Sequence, residues 1–119
     1  MKHVLIIDDS PYNITLLTAM LRKHGVNVLS AKDGDEGLDS FNNARPDLVF
    51  LDYMLPGRNG IEILKEIKRI NPQSVVIMLS ALNSADDVAR AKAAGANGYI
   101  IKPFENEKIV SVLTKFNIL

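Results

Sequence analysis

Five side chains able to take part in acid–base or phosphoryl chemistry stand at the ends of short apolar runs in this chain. Asp8 and Asp9 follow the run VLII, and Asp52 follows LVFL. Ser80 follows VVIML, and Lys102 follows YII. Burying a polar or charged group is costly unless it has a partner, so polar tips on apolar segments indicate residues that act together.

Three carboxylates held close together repel one another, which raises their pKa values until a positive charge compensates. A hard divalent cation with oxygen ligands meets that need, and Mg²⁺ binds through one or two carboxylates while it keeps several waters. The ammonium group of Lys102 supplies a second positive charge. Such a pocket suits a phosphoryl group, whose transfer depends mainly on positioning and charge neutralisation, and an aspartate can itself be the nucleophile.

Each of these residues also has an ordinary structural interpretation. Asp8 or Asp9 can cap a helix, although Ser10 already suits that position, and Ser80 can cap the helix that follows it. Asp52 can form a turn, but the PGRNG segment that follows it already supplies turn residues. A lone lysine or tyrosine usually lies at the surface or packs half-buried. The functional interpretation therefore depends on the combination of all five residues at one place.

The chain alternates between short apolar runs and segments with helical periodicity, which predicts five strands and five helices. Strands are predicted at 3–9, 26–31, 47–52, 74–81 and 97–102, and helices at 10–25, 33–44, 60–70, 84–95 and 105–116. Ser10 and Ser84 are the predicted N-caps of the first and fourth helices, whereas the last helix lacks a good cap unless Asn106 serves.

Continuous apolar runs in the first, third and fourth predicted strands indicate burial on both faces. Strands of that kind occur in parallel sheets covered by helices, so the predicted class is α/β. In an open sheet of this class, ligands bind beyond the carboxyl ends of the strands. The five polar side chains are predicted to meet at that edge.

Composition narrows the classes of function. The chain has 119 residues and is expected to form a single domain, residues 1–119. Its 14 basic residues balance 14 acidic ones, which gives no support for direct binding to nucleic acid. It has no cysteine, which excludes disulfides and thiolate metal sites and fits a cytoplasmic protein. No apolar run approaches the roughly 18 residues that a membrane span requires.

With these motifs in place, the whole chain resembles the receiver domain of two-component response regulators. The matching segments, in order, are IIDDS (6–10), PDLVFLDYMLPGRNG (46–60), IMLSAL (77–82) and GANGYIIKPF (95–104). The resemblance implies a doubly wound, flavodoxin-like three-layer sandwich with a parallel sheet of order 2-1-3-4-5. It fits a stand-alone receiver of the chemotaxis or phosphorelay type, or a fragment of a larger regulator.

The resemblance also assigns roles to residues at the predicted edge. Asp52 matches the aspartate that accepts the phosphoryl group and also binds the metal. Asp9 matches the acid that binds Mg²⁺ directly, and Asp8 matches its partner, which acts mainly through water. Met54 matches the position whose backbone carbonyl binds the metal. Mn²⁺ or another divalent cation is an alternative to Mg²⁺.

Further positions match residues that contact the phosphoryl group or respond to it. Lys102 matches the lysine that pairs with the phosphoryl group, and Ser80 matches the hydroxyl that hydrogen-bonds it. Tyr99 matches the aromatic that turns inward on activation. In this family a cis peptide bond usually precedes the proline that matches Pro103. The remaining residues of the predicted site are Ala81 and Leu82.

The function implied by the resemblance is a phosphorylation switch. A sensor histidine kinase or a histidine phosphotransfer protein presents a phosphohistidine, and Asp52 attacks its phosphorus. Ser80 and Tyr99 then shift, which biases the face formed by residues 84–116 toward a downstream protein target or effector domain. The domain would catalyse only its own phosphorylation and slow dephosphorylation. No direct contact with a membrane is expected.

Two other classes of function remain alternatives from the sequence. The first is a pseudo-receiver, an interaction module that is never phosphorylated, although its acids, hydroxyl and lysine are all present. The second is a flavin carrier or an aspartate-dependent phosphatase on a related α/β fold. A flavin carrier needs a phosphate-binding loop where this chain has DDSPYN, and such a phosphatase needs an acid where this chain has Met54.

We expect the phosphorylated form to be long-lived, because Met54 and Leu82 flank the expected path of the hydrolytic water and both are apolar. Met54→Asn should therefore accelerate loss of the phosphoryl group several-fold, since an amide can orient that water. Decay of the phosphorylated protein after removal of the donor measures the rate. Unchanged or slower decay in the variant would refute this expectation.

Overall fold

The computed structural model describes residues 2–119 and contains five strands and five helices in strict alternation. The strands are β1 (His3–Ile7), β2 (Asn27–Ala31), β3 (Leu48–Asp52), β4 (Val76–Ser80) and β5 (Gly98–Ile101). The helices are α1 (Pro11–Arg22), α2 (Gly34–Ala44), α3 (Gly60–Ile70), α4 (Ala85–Ala93) and α5 (Asn106–Lys115). The predicted order of elements is confirmed, and most elements are slightly shorter than the segments that predicted them.

The five strands form one parallel sheet in the order β2-β1-β3-β4-β5, which confirms the predicted topology. β1 and β3 are neighbours, with Ile7 opposite Leu51. Their carboxyl ends therefore lie side by side, and the residues that follow them share one edge of the sheet. β5 pairs with β4, with Ile101 opposite Ser80, so its carboxyl end reaches the same edge.

Helices cover both faces of the sheet. On one face, strand residues pack against α1 and α5 in a cluster that includes the fully buried Phe50, Ile77, Leu17 and Leu113. On the other face, they pack against α2, α3 and α4 in a cluster that includes Leu51, Met78, Phe41, Ile67 and Ala91. Each large side chain buried in this way contributes roughly 1.5–3 kcal/mol, which explains why the runs in β1, β3 and β4 are apolar throughout.

The predicted helix caps are confirmed for α1 and α4. Ser10 Oγ accepts a hydrogen bond from the Asn13 amide at 3.2 Å, and Ser84 Oγ accepts one from the Asp87 amide at 3.1 Å. α5 begins without a side-chain cap, because Glu105 occupies the cap position and makes no such hydrogen bond. Asn106 is the first helical residue rather than the cap. Within residues 2–119, no helix is both long and apolar enough to cross a membrane.

A close backbone approach fixes the start of α3 against the end of β3. The Gly60 amide donates a hydrogen bond to the Tyr53 carbonyl oxygen at 2.9 Å. A Cβ on Gly60 would press on the Asp52 carbonyl oxygen and would lie 2.8 Å from the Tyr53 Cα. Only glycine fits here, because backbone atoms cannot move aside as a side chain can.

Gly60→Ala should therefore destabilise the fold by about 3 kcal/mol, as overpacking against rigid groups does. Gly34→Ala is the matched control, because Gly34 is also the buried first residue of a helix. Its added Cβ would meet the Ile63 Cδ1 atom at 2.5 Å, which is the end of a side chain and can shift more readily than backbone atoms can. Urea unfolding measures both variants, and equal losses of stability would contradict the distinction.

Candidate functional site

The three predicted carboxylates meet at the carboxyl edge of the sheet. Asp52 is the last residue of β3 and is 5 % exposed, whereas Asp8, just beyond β1, is completely buried. Asp9 is exposed. Each of the three offers a carboxylate oxygen, and these oxygens all lie within 4.8 Å of one another. The pairing of β1 with β3 produces this cluster, because it puts Asp8 and Asp52 at equivalent heights on adjacent strands.

Lys102 bridges the two buried carboxylates. Its Nζ lies 3.0 Å from Asp8 Oδ2 and 3.0 Å from Asp52 Oδ2. The residue follows β5, and its amide donates a hydrogen bond to the Ser80 carbonyl oxygen at 2.8 Å, which anchors the backbone beside β4. The Lys102–Pro103 peptide bond is cis. The ammonium group therefore reaches the acidic cluster from the far side of β4.

The electrostatics of Asp52 combine opposing effects. Burial raises the pKa of Asp52, and repulsion from Asp8 raises it further. The hydrogen bond and charge of Lys102, together with the Met54 amide, oppose that rise without cancelling it. For Lys102, burial lowers the pKa, but the hydrogen bonds and charges of Asp8 and Asp52 outweigh it and leave the pKa raised. The lysine is therefore held in its charged form between the two acids.

The loop after β4 connects Ser80 with Tyr99. Ser80 is completely buried, and its Oγ accepts a hydrogen bond from the Leu82 amide at 2.9 Å. The Tyr99 hydroxyl donates to the Leu82 carbonyl oxygen at 2.7 Å. Burial raises the pKa of Tyr99, which keeps that hydroxyl protonated as a donor. Leu82 is half-buried and Ala81 is exposed. The backbone of one residue, Leu82, therefore links the two predicted switch residues, through its amide to Ser80 and through its carbonyl to Tyr99.

Met54 lies at the mouth of the site. Its side chain is 62 % exposed, and its amide donates to Asp52 Oδ1 at 3.1 Å. Met54 also faces Asn59 across an antiparallel bridge, which closes the base of the loop between β3 and α3. The orientation of Asp52 is therefore set on one side by the Met54 amide and on the other by the Lys102 ammonium group.

Sequence reasoning missed two residues that contribute to this region. Tyr53 is 5 % exposed and meets the Tyr99 ring edge to face, with ring centroids 6.4 Å apart. The position of Tyr53 directly after Asp52 could have indicated its burial, because a residue that follows an apolar strand can continue the packing of that strand against the helices. Arg58 forms ion pairs with Asp35 on α2 and with Glu66 on α3, each at 2.8 Å. No local pattern indicated the pair with Asp35, because the two residues are 23 positions apart in the chain.

The donor set fits a hard divalent cation. All the atoms that the three aspartates offer are carboxylate oxygens, the ligands that Mg²⁺ prefers in proteins. One ammonium group cannot balance three carboxylates, so the cluster keeps a net negative charge when the acids are ionised. Asp9 is exposed while Asp8 and Asp52 are buried, which leaves one side of the cluster open to solvent.

Comparison with known proteins agrees with this geometry. The response regulator receiver domain family matches residues 4–114. The chain is 36 % identical over 115 residues to the chemotaxis protein CheY of Thermotoga maritima, covering 96 % of each protein. It is also 36 % identical over 110 residues to the DNA-binding response regulator MtrA of Mycolicibacterium smegmatis, covering 92 % of this chain but 48 % of that protein. The relatives therefore include proteins that the chain spans almost completely and others of which it spans about half.

Solved structures give the same result at the level of the fold. One chain of the crystal structure of the CheX–CheY–BeF3–Mg²⁺ complex from Borrelia burgdorferi superimposes with a TM-score of 0.92 at 33 % sequence identity. The superposition covers 97 % of this chain and 89 % of that chain. A match of this extent includes every strand that carries a residue of the acidic edge.

The raised pKa of Asp52 predicts that its charge destabilises the metal-free protein. A group whose pKa is raised by folding binds its proton more tightly in the folded state, so its stabilising contribution is complete below its ordinary pKa of 3.8 and is lost as the pH rises through the folded value. Asp52→Asn removes the charge and keeps an oxygen that can accept from the Met54 amide. In EDTA at neutral pH, we expect this variant to be more stable than the wild type by on the order of 1 kcal/mol.

Urea unfolding between pH 4 and pH 8 checks this prediction, and the difference should shrink toward the acid end. Asp39→Asn is the control, because Asp39 is an exposed acid on α2. Its substitution should change stability little at any pH. A lower stability of Asp52→Asn at neutral pH would contradict the stated effect of burial and repulsion.

Proposed function

The chain belongs to the response regulator receiver domain family of two-component systems, and on that premise we propose that Asp52 accepts a phosphoryl group from a phosphohistidine. Receiver domains are signalling domains, and phosphorylation-based signalling fits the site. The observation that carries the proposal is the shared position of Lys102 Nζ, 3.0 Å from a carboxylate oxygen of both Asp8 and Asp52. No observation favours a pseudo-receiver, because the three acids cluster, Lys102 pairs with two of them, and Ser80 ends the neighbouring strand β4.

Asp52 is the nucleophile in this proposal. One of its carboxylate oxygens forms a bond to phosphorus while the bond from phosphorus to the histidine nitrogen breaks, and the freed imidazole leaves with a proton from solvent. The Met54 amide holds Oδ1 at 3.1 Å, which leaves Oδ2, the oxygen bound by Lys102, oriented toward the site. Attack by Oδ2 lets Lys102 transfer its hydrogen bond from the carboxylate to a phosphoryl oxygen.

A divalent cation completes the charge balance in this proposal. Asp9 and Asp52 would hold it directly, the Met54 backbone carbonyl would add a ligand, and Asp8 would act through water. When bound, the cation supplies neutralisation of the negative charge that the phosphoryl oxygens bring to an acidic pocket. Mg²⁺ is proposed, because receiver domains bind Mg²⁺ in an acidic site and the donors here are all oxygens. Mn²⁺ satisfies the same donors.

Phosphorylation is proposed to act on the rest of the domain through Ser80. Its hydroxyl can donate to a phosphoryl oxygen, but in the present structure its Oγ is held by the Leu82 amide. Movement of Ser80 toward Asp52 would carry the loop with it and would disturb the hydrogen bond between Tyr99 and the Leu82 carbonyl. The face formed by α4, β5 and α5, within residues 84–116, would then change its population of conformations.

We propose that the donor is a sensor histidine kinase or a histidine phosphotransfer protein and that the output is binding of a protein target or effector domain. Support comes from the family, whose receivers interact with histidine kinases and with downstream proteins. The domain would catalyse its own phosphorylation and slow dephosphorylation and no other reaction. A cytoplasmic location, where histidine kinases present their phosphohistidine, belongs to the same proposal.

Incubation with acetyl phosphate tests the role of Asp52. The wild type should gain one phosphoryl group in Mg²⁺ and almost none in EDTA, as read by intact-protein mass spectrometry. Asp52→Asn should gain none under either condition, because an amide oxygen is a poor nucleophile. Lys102→Ala should be labelled much more slowly, since charge neutralisation is lost.

Asp39→Asn is the control for removal of an acid and should behave as the wild type does. Equal labelling of Asp52→Asn and the wild type would remove Asp52 from its proposed role. Equal labelling of the wild type in Mg²⁺ and in EDTA would remove the cation from the proposal.

A further inference from the structure

Arg58 connects the loop between β3 and α3 to two helices. Its Nη1 lies 2.8 Å from Asp35 Oδ1 in the first turn of α2, and its Nη2 lies 2.8 Å from Glu66 Oε1 on α3. Its Nε lies 3.8 Å from Glu62 Oε2. A planar guanidinium group can bind two carboxylates in fixed directions at once, which a lysine ammonium group on a flexible stem does less well. Arg58 therefore connects the loop to both α2 and α3 through ion pairs.

The base of this loop carries the residues closest to the predicted metal site. Asp52 begins the segment, and the Met54 amide holds its Oδ1. Met54 faces Asn59 across the antiparallel bridge, and the Gly60 amide donates to the Tyr53 carbonyl. The direction of the Met54 carbonyl therefore depends on the position of the returning half of the loop.

That returning half is anchored by Arg58, the residue directly before Asn59. The Arg58 Cβ lies 3.8 Å from the point that a Cβ on Gly34 would occupy, so its stem packs against the start of α2. α2 is itself fixed, because Phe41 is buried in the core and the Asp33 side chain caps the helix through the Glu36 amide at 2.8 Å. The loop tip at residues 56–57 is exposed and offers no comparable anchor.

We propose that Arg58 is a positioning residue for the divalent cation, acting through the loop on the Met54 carbonyl. The inference rests on the cation site of the proposed function and adds a residue to it. It also predicts that removal of Arg58 weakens cation binding, which is the opposite of the change expected from electrostatics alone. Removal of the positive charge of Arg58 from among its acidic partners would strengthen cation binding by simple attraction. Release of the loop weakens cation binding, because the carbonyl ligand is no longer held in place.

The test is a Mg²⁺ titration of the wild type and of Arg58→Ala without any phosphoryl donor. Changes in the amide chemical shifts in NMR spectra report the binding. We expect the dissociation constant of Arg58→Ala to rise about tenfold, as for other groups that orient a metal ligand. Arg69→Ala is the matched control. Arg69 is an exposed arginine in the last turn of α3 that pairs with no acid among residues 2–119, and its loss should leave the affinity unchanged.

A second readout needs no metal. In EDTA, hydrogen exchange at the Met54 and Gly60 amides should be faster in Arg58→Ala than in the wild type, while exchange at Ile77 in β4 should not change. A role in overall stability alone would accelerate exchange at all three. Arg58→Lys should have intermediate affinity, because an ammonium group on a flexible stem keeps the charge but lacks the planar fork that binds Asp35 and Glu66 in fixed directions. Should the alanine variant fail to fold, Arg58→Gln gives the same comparison with the stem retained.

The outcomes separate this inference from the proposed function. Equal or tighter Mg²⁺ binding by Arg58→Ala overturns the positioning role and leaves the cation site intact. Absence of Mg²⁺ binding by the wild type contradicts the cation site itself. Weaker Mg²⁺ binding by Arg58→Ala, together with faster hydrogen exchange confined to the loop, supports both the positioning role of Arg58 and the cation site.

Discussion

One ammonium group shared by two buried carboxylates is the interaction on which the rest of this site depends. Asp8 and Asp52 have almost no contact with water, and Lys102 Nζ lies 3.0 Å from each of them. Burial and mutual repulsion raise the pKa of Asp52, so the pocket is destabilising in itself. The apolar layers on both faces of the sheet offset that cost, and the charge that Lys102 leaves uncompensated is what makes the pocket attractive to a cation.

The same geometry explains how a local event can reach a distant surface. Lys102 is anchored to the Ser80 carbonyl through its amide. The Leu82 backbone is held at its amide by Ser80 Oγ and at its carbonyl by the Tyr99 hydroxyl. A phosphoryl group on Asp52 would compete for the Lys102 ammonium group and for the Ser80 hydroxyl at once. These are short hydrogen bonds between packed elements, which favour discrete alternative arrangements over gradual deformation.

The architecture was predictable because apolar runs on consecutive positions have few alternatives to a strand buried on both faces. The confirmed caps at Ser10 and Ser84 were also predictable from a local pattern, because a serine just before a helical segment can accept a hydrogen bond from a free amide of the first turn. Element boundaries were less predictable. The segment predicted as the first strand at 3–9 ends at Ile7, and Asp8 and Asp9 follow it at the carboxyl edge of the sheet. The ion pair of Arg58 with Asp35 was not predictable, since it joins residues 23 positions apart whose meeting depends on how α2 and α3 pack.

The sequence by itself determined that acids, a hydroxyl and a lysine end the strands of an α/β sheet, because hydrophobic periodicity and residue type are local properties. It also carried the family resemblance, through motifs that keep their order and spacing. Only the tertiary structure decided that Asp8 is buried while Asp9 is exposed, and that one lysine serves two carboxylates. Burial and charge pairing depend on the register of β1 with β3 and on the path of the chain beyond β5, and these arise from packing between elements that no local pattern records.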